Sequence, residues 1–157
     1  MNILFVCLGN ICRSPTADAV FRTHVHDAGL SSRIRVDSAG TGSWHIGDAP
    51  DRRATSTALK RGYDLSAIRS RKVRQQDFNE FDFVLAMDAQ NLSDLLAICP
   101  AEHQRKVELF LNYAPKVEDN DVPDPYYGVG NGFERVLDMI ELASQGLLDR
   151  IKKDISL

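Results

Sequence analysis

The chain has few cysteines, little net charge and no long apolar run. Its three cysteines, Cys7, Cys12 and Cys99, are too few and odd in number for a disulfide framework, and they fit a reducing compartment. No apolar stretch approaches the ~18 residues that suggest a membrane span. The opening MNILFVCLGN is apolar but too short and uncharged for a secretory signal, so no membrane association and a cytoplasmic location are expected. A formal charge of −3 argues against a general nucleic-acid binder. The four histidines, His24, His26, His45 and His103, show no metal-ligand spacing with the cysteines, so no metal is expected.

What is present is an alternation of apolar strands and amphipathic helices. Ile3 to Leu8 is a continuous apolar run, the pattern of a strand buried on both faces. Ser14 and Pro15 suit a helix start, as cap and first helical residue. Ala17, Val20, Phe21, His24, Val25 and Ala28 follow at helical spacing, with Gly29 as the stop. Further strands are expected over Arg33–Ser38, Phe81–Met87 and Lys106–Leu111. Helices are expected over Asp51–Arg61, Asp88–Ile98 and a long C-terminal stretch from Phe133. The basic segment Arg69–Arg74 reads as a solvated surface. Asn112–Gly132 is rich in Pro, Asp and Gly and reads as a long, functional loop. These elements predict one α/β domain around a short parallel sheet, with ligands beyond the carboxyl ends of the strands.

The stretch VCLGNICRSP, Val6 to Pro15, lies at such an end. A loop between a strand and a helix N-terminus points several backbone N–H groups into one small space, which favours an anion. Gly9 and Asn10 tolerate the left-handed backbone that such a curl needs. Arg13 adds a permanent charge on a flat fork suited to two phosphate oxygens. The nucleotide-binding G-x-x-x-x-G-K-[ST] pattern is absent, and GVGNG at Gly128–Gly132 has the wrong spacing for a dinucleotide loop. A field that attracts phosphate also favours a thiolate, so Cys7 is the candidate nucleophile, with Ser14 placed to hydrogen-bond its sulfur. A Cys-x5-Arg pattern is weak by itself. Its conjunction with a strand, Gly-Asn and a proline-started helix is stronger, and a packed-core reading of Cys7 leaves Arg13 unexplained.

Cleaving an oxygen ester needs an acid for the leaving group. Asp124, in DVPDPYYG, is stiffened by Pro123 and Pro125 and is the best candidate; Asp119 and Asp121 are rivals, and an ordinary turn aspartate is the bland alternative. Tyr126, Tyr127 and Trp44 lie in loops and could wall a cleft for an aromatic substrate.

With these motifs, and with DSAGT at Asp37–Thr41 and AMD at Ala86–Asp88, the chain resembles the low-molecular-weight protein tyrosine phosphatases along its whole length. The resemblance implies a single phosphatase domain over residues 1–157. It implies an α/β three-layer sandwich with a short four-stranded parallel sheet flanked by helices and a phosphate loop after the first strand. It implies no cofactor and a cysteinyl-phosphate mechanism, with Cys7 as nucleophile, Arg13 as phosphate clamp and Asp124 as acid and then base. The implied phosphate-binding loop comprises Leu8, Gly9, Asn10, Ile11, Cys12, Arg13 and Ser14. Asn10, Ser14 and Ser38 are its supports, and Trp44, Tyr126 and Tyr127 form the substrate cleft. Cys12 matches a cysteine that pairs reversibly with Cys7 on oxidation; a small packing residue is the other reading of it. The implied partners are phosphotyrosine-containing proteins, a tyrosine kinase among the candidates, and the implied state is a monomer or weak homodimer. One departure is Ile68, where many relatives carry a histidine, although Arg71 is kept.

Two other functions compete. An arsenate reductase on this fold would need a disulfide relay, for which Cys99 is the spare thiol. A non-catalytic phosphotyrosine-binding or redox-sensing module would need neither a thiolate nor an acid.

Overall fold

The computed structural model describes residues 1–115, 117, 120–125 and 132–155. Four strands form one parallel sheet: β1 (Asn2–Cys7), β2 (Arg35–Gly40), β3 (Phe83–Ala86) and β4 (Val107–Leu109), in the order β2-β1-β3-β4. The helices are α1 (Arg13–Asp27), α2 (Arg52–Lys60), α3 (Asp77–Glu80), α4 (Ala89–Ile98) and α5 (Gly132–Asp154). Two short 3-10 turns flank β4.

The apolar run of β1 explains its central place. Ile3, Leu4, Phe5 and Val6 are fully buried because both faces of the sheet are covered. Ile3, Phe5 and Cys7 point into the larger core, shared with α1 and α5, whereas Leu4 and Val6 point into the core beneath α4. Period-two alternation therefore yields three layers from one six-residue strand. Phe5 meets Phe21 of α1 and Phe110 edge-on, with ring centroids 5.7 and 4.9 Å away. Such pairs add about 0.5–1.5 kcal/mol each beyond burial. They fix β1 two residues before Cys7.

Several element ends differ from the sequence reading. The β2 strand runs to Gly40 rather than stopping at Ser38, because its register with β1 continues until Gly40 lies opposite Cys7. The first helix begins at Arg13 with Cys12 as cap, so Ser14 is already inside the first turn. Its hydroxyl is drawn inward to Cys7 and Asn10 instead of capping. Gly29 does follow the end of α1, with φ 73°. Asp51 caps α2, accepting from the Arg53 and Ala54 amides, and Asp88 caps α4 by accepting from Asn91. The four-residue α3 was too short to carry a periodic signal.

The carboxyl ends of β1 and β3 open on the same side, which is where the loop after Cys7 and the segment after Met87 meet. Among the described residues no helix is long and apolar enough to cross a membrane.

Candidate active site

The loop from Cys7 to Arg13 curls around the end of β1 into α1. Its shape is set by Asn10, which is fully buried and has φ 56°, the left-handed region that asparagine tolerates better than most residues. The Asn10 side chain uses every hydrogen-bonding group it has. Its Nδ2 donates to Ser14 Oγ (2.8 Å) and Ser38 Oγ (3.0 Å), and its Oδ1 accepts from the Arg71 amide (3.0 Å). Gly40 makes room for this: a Cβ there would lie 2.8 Å from the Leu8 carbonyl oxygen and 3.2 Å from Asn10 Cβ. Outside the loop, Ser70 donates to the Gly9 carbonyl (2.9 Å) and the Asp51 amide to the Ile11 carbonyl (2.8 Å).

Cys7 is 2 % exposed at the floor of the cleft. Its Sγ lies 3.0 Å from Ser14 Oγ and accepts from the Asn10 amide at 3.3 Å. Ser14 has one hydroxyl hydrogen and two acceptors in reach, Cys7 Sγ and the Ala39 carbonyl at 3.3 Å. Asn10 donates to the Ser14 oxygen, so the one hydroxyl hydrogen is left for either the sulfur or the Ala39 carbonyl, and a charged sulfur would be the stronger acceptor. Cys12 is also buried, and all three cysteines are free thiols. Burial, followed by Asp51, Cys7 and Asp124, pushes the Cys12 thiol well above the ordinary range, with only Arg53 opposing. The two neighbouring thiols thus differ in environment: only Cys7 faces the loop amide and the Ser14 hydroxyl.

Arg13 is nearly sealed from solvent, and its charge is held by three acidic neighbours. Burial opposes that charge, but Cys7, Asp88 and Asp124 together raise its pKa above the ordinary arginine value. Nη1 donates to Asp88 Oδ2 (2.5 Å) and to the Val122 carbonyl (3.0 Å), while Nη2 lies 3.5 Å from Asp124 Oδ2. With both hydrogens of Nη1 taken, the fork left for an anion is Nε with Nη2. Asp88 thereby does two jobs, capping α4 with one oxygen and holding Arg13 with the other.

The same contacts dock the segment that carries Asp124. The Val122 amide donates to the Met87 carbonyl at 2.7 Å, and Val122 is fully buried. Asp121, a rival on sequence, accepts from the Ala89 amide (2.9 Å) and so serves the start of α4. Asp119, the other rival, lies outside the described residues. Asp124 stands across the cleft from Cys7, with its side chain 30 % exposed.

The cleft has a volume of about 350 Å³. Its floor is the loop, and its walls are Trp44, His45 and Asp124. Trp44 is 72 % exposed and its ring lies over Gly42, where a Cβ would collide with it at 1.9 Å. The expected wall residues Tyr126 and Tyr127 lie outside the described residues. His45, missed on sequence, packs against Gly9 and bonds Asp48 through Nδ1 (3.1 Å).

The basic segment is solvated as expected at Arg69, Lys72 and Arg74, which are exposed, and Arg71 is the exception. Arg71 pairs with the fully buried Asp77 (2.9 Å) and with Asp37 (3.1 Å), and its amide holds Asn10. The Arg71 charge is used internally, where its amide also braces the loop. Ile68 is buried in the larger core, an apolar residue that offers the loop no side-chain hydrogen bond. Cys99 packs in the core on the opposite face of the sheet from Cys7. Among the described residues no group of three or more His, Cys, Asp or Glu could hold a metal ion.

The sequence matches the low molecular weight phosphotyrosine protein phosphatase family over residues 2–157. It is 46 % identical over 157 residues to a low molecular weight protein-tyrosine-phosphatase of Streptomyces coelicolor, covering 98 % of this chain and 95 % of that one. The fold superposes on a protein tyrosine phosphatase of Entamoeba histolytica with a TM-score of 0.95, at 40 % identity and 98 % coverage of both chains. It also superposes on a Drosophila arginine phosphatase with a TM-score of 0.90, at 33 % identity, covering 97 % of this chain and 98 % of that one.

Proposed function

This chain belongs to the low molecular weight phosphotyrosine protein phosphatases, phosphoric monoester hydrolases, and we propose that it cleaves phosphotyrosine in proteins through a phosphoenzyme on Cys7. The observation that carries this reading is the convergence of Cys7 Sγ, Ser14 Oγ, the Arg13 fork and Asp124 on one cleft. A phosphate seated in the loop presents its phosphorus to Cys7 and its equatorial oxygens to the loop amides and to Arg13 Nε and Nη2. The Cys7 thiolate attacks phosphorus, and the bond to the ester oxygen breaks. Asp124 gives its proton to that oxygen, so tyrosine leaves as the neutral phenol. The carboxylate that remains then takes a proton from water, which attacks the cysteinyl phosphate. Inorganic phosphate leaves, and the sulfur departs as a thiolate supported by the Ser14 hydroxyl. The charge developing on the phosphoryl oxygens meets a fixed cation, since Asp88 and the Val122 carbonyl hold Arg13 before substrate arrives.

The aromatic wall at Trp44 favours an aryl ester, and the depth of Cys7 favours a long leaving group over phosphoserine. The arginine phosphatase fold match makes the identity of the phosphorylated residue the point to measure. The position of Cys99 across the sheet counts against a disulfide relay of the arsenate reductase type. Cys12 lines the same cleft as Cys7, which supports reading it as the redox partner.

A panel of phosphotyrosine, phosphoserine, phosphoarginine and arsenate substrates on one preparation tests the assignment. Phosphotyrosine is expected to be turned over fastest, and a preference for another member would overturn the substrate. Cys7→Ser is expected to abolish turnover while inorganic phosphate still binds; substantial residual activity would remove the thiolate from the mechanism.

A further inference from the structure

Arg53 is a cation at the start of α2 that the reaction above does not use. It holds Asp51 with two bonds, Nε to Oδ1 at 3.3 Å and Nη2 to Oδ2 at 3.1 Å. Its guanidinium also covers the Phe133 ring of α5, 4.8 Å from the ring centroid. We infer that Arg53 is a positioning residue for Asp124, acting through Phe133 and Pro125; the inference rests on the phosphatase reading above.

Asp124 stands between two anchored neighbours. Before it, the Val122 amide is fixed by the Met87 carbonyl and the Val122 carbonyl by Arg13. After it, Pro125 abuts the start of α5, where a Cβ at Gly132 would lie 3.5 Å from Pro125 Cβ, ordinary van der Waals contact. Pro125 and Phe133 line one void with Cys12, Thr16 and Ala54, and its volume of about 10 Å³ is near the least that holds a water. Packing this close passes a shift of the Phe133 ring to Pro125, and so to the adjacent carboxyl. Proton transfer is sensitive to such shifts, since a misplacement of about 1 Å can cost about a hundredfold in rate.

Arg53 fixes that ring relative to the phosphate loop. Its partner Asp51 caps α2 and donates its own amide to the Ile11 carbonyl at 2.8 Å. The guanidinium thus joins the loop that would seat the phosphate to the segment that carries the acid. Arginine suits both contacts at once, because its fork matches a carboxylate and its flat face stacks on a ring. A second link between the two helices has a different character: Arg61, at the opposite end of α2, pairs with Glu134 (2.6 Å) and Asp138 (2.9 Å) of α5.

The test compares kcat/KM of Arg53→Ala and the wild type on two aryl phosphates, one with a poor and one with a good leaving group. This quantity reports transfer to Cys7, the step in which Asp124 gives up its proton. A loss of about fivefold is expected for the poor leaving group and almost none for the good one, with inhibition by inorganic phosphate unchanged. Arg53→Lys keeps a cation for the ring and is expected to restore part of the loss. Phe133→Leu removes the ring face and is expected to show the same leaving-group dependence, so it carries the test if Arg53→Ala does not fold. Adding Arg53→Ala to Asp124→Ala is expected to change nothing further. Arg61→Ala is expected to lower stability without this dependence. No loss, equal losses on both esters, weaker phosphate inhibition, or the same dependence in Arg61→Ala would overturn the proposal and reduce Arg53 to a helix-packing role. If the wild type hydrolysed neither ester, the phosphatase reading would fail instead.

Discussion

Replacing the buried Asp18, which Arg22 bonds through Nη2 at 2.5 Å, with asparagine has a consequence for stability. The folded protein holds this carboxyl at about 6 against an ordinary value of 3.8. That difference of about two pKa units corresponds to about 3 kcal/mol between the two protonation states. The sign follows from proton uptake. Between pH 3.8 and about 6 the folded state binds more protons at Asp18 than the unfolded chain does, so stability falls as pH rises through that window. Asparagine does not titrate. The stability of Asp18→Asn minus that of the wild type is thus expected to rise by about 3 kcal/mol from pH 3.5 to pH 7. For a domain of this size that is a relative gain of roughly 6–12 °C in Tm. Urea unfolding of both proteins at a series of pH values measures it, and the subtraction removes the titration of the other carboxylates. A difference that stays flat, or falls with pH, would refute the raised pKa.

Two further perturbations separate the acid from the scaffold. Asp124→Ala is expected to lower kcat by about 10²–10⁴-fold for phenyl-type esters with poor leaving groups and far less for good ones. Equal losses for both would remove Asp124 as the acid. Gly40→Ala would place a methyl group 2.8 Å from the Leu8 carbonyl oxygen, so the loop must shift. A loss of about 1–3 kcal/mol in stability is expected, together with weaker phosphate binding; unchanged phosphate affinity would contradict the close packing of β2 on the loop.

Much of this site is legible in the sequence because it is local. Cys7, Asn10, Arg13 and Ser14 fall within a span of eight positions, and a strand followed by a helix leaves little freedom in where they point. Asp124 is readable for a different reason, the two prolines that frame it. The supports are less legible because their partners are distant in the chain. Arg71 sits in a run of basic residues that looks solvated until Asp37 and Asp77 are placed around it. Asp88 looks like a helix cap, which it is, and only the fold reveals its second oxygen on Arg13. Gly40 reads as one glycine among several in a loop, whereas it ends β2 opposite Cys7. Ser14 shows the reverse error: a good capping residue in the right place, whose hydroxyl is used by the sulfur instead. Local propensity placed these elements within a few residues, and long-range hydrogen bonds decided the rest.

The central claim is a covalent bond between phosphorus and Cys7 Sγ. Rapid quench of Asp124→Ala during turnover of an aryl phosphate whose good leaving group needs no acid, followed by peptide mapping under conditions that preserve the phosphorus–sulfur bond, tests it directly. Loss of the second-step base should let the intermediate accumulate. The phosphoryl group is expected on the peptide containing Cys7, and to be missing when Cys7→Ser is combined with it. Phosphate on any other residue, or turnover with no phosphoenzyme and undiminished by Cys7→Ser, would contradict the mechanism.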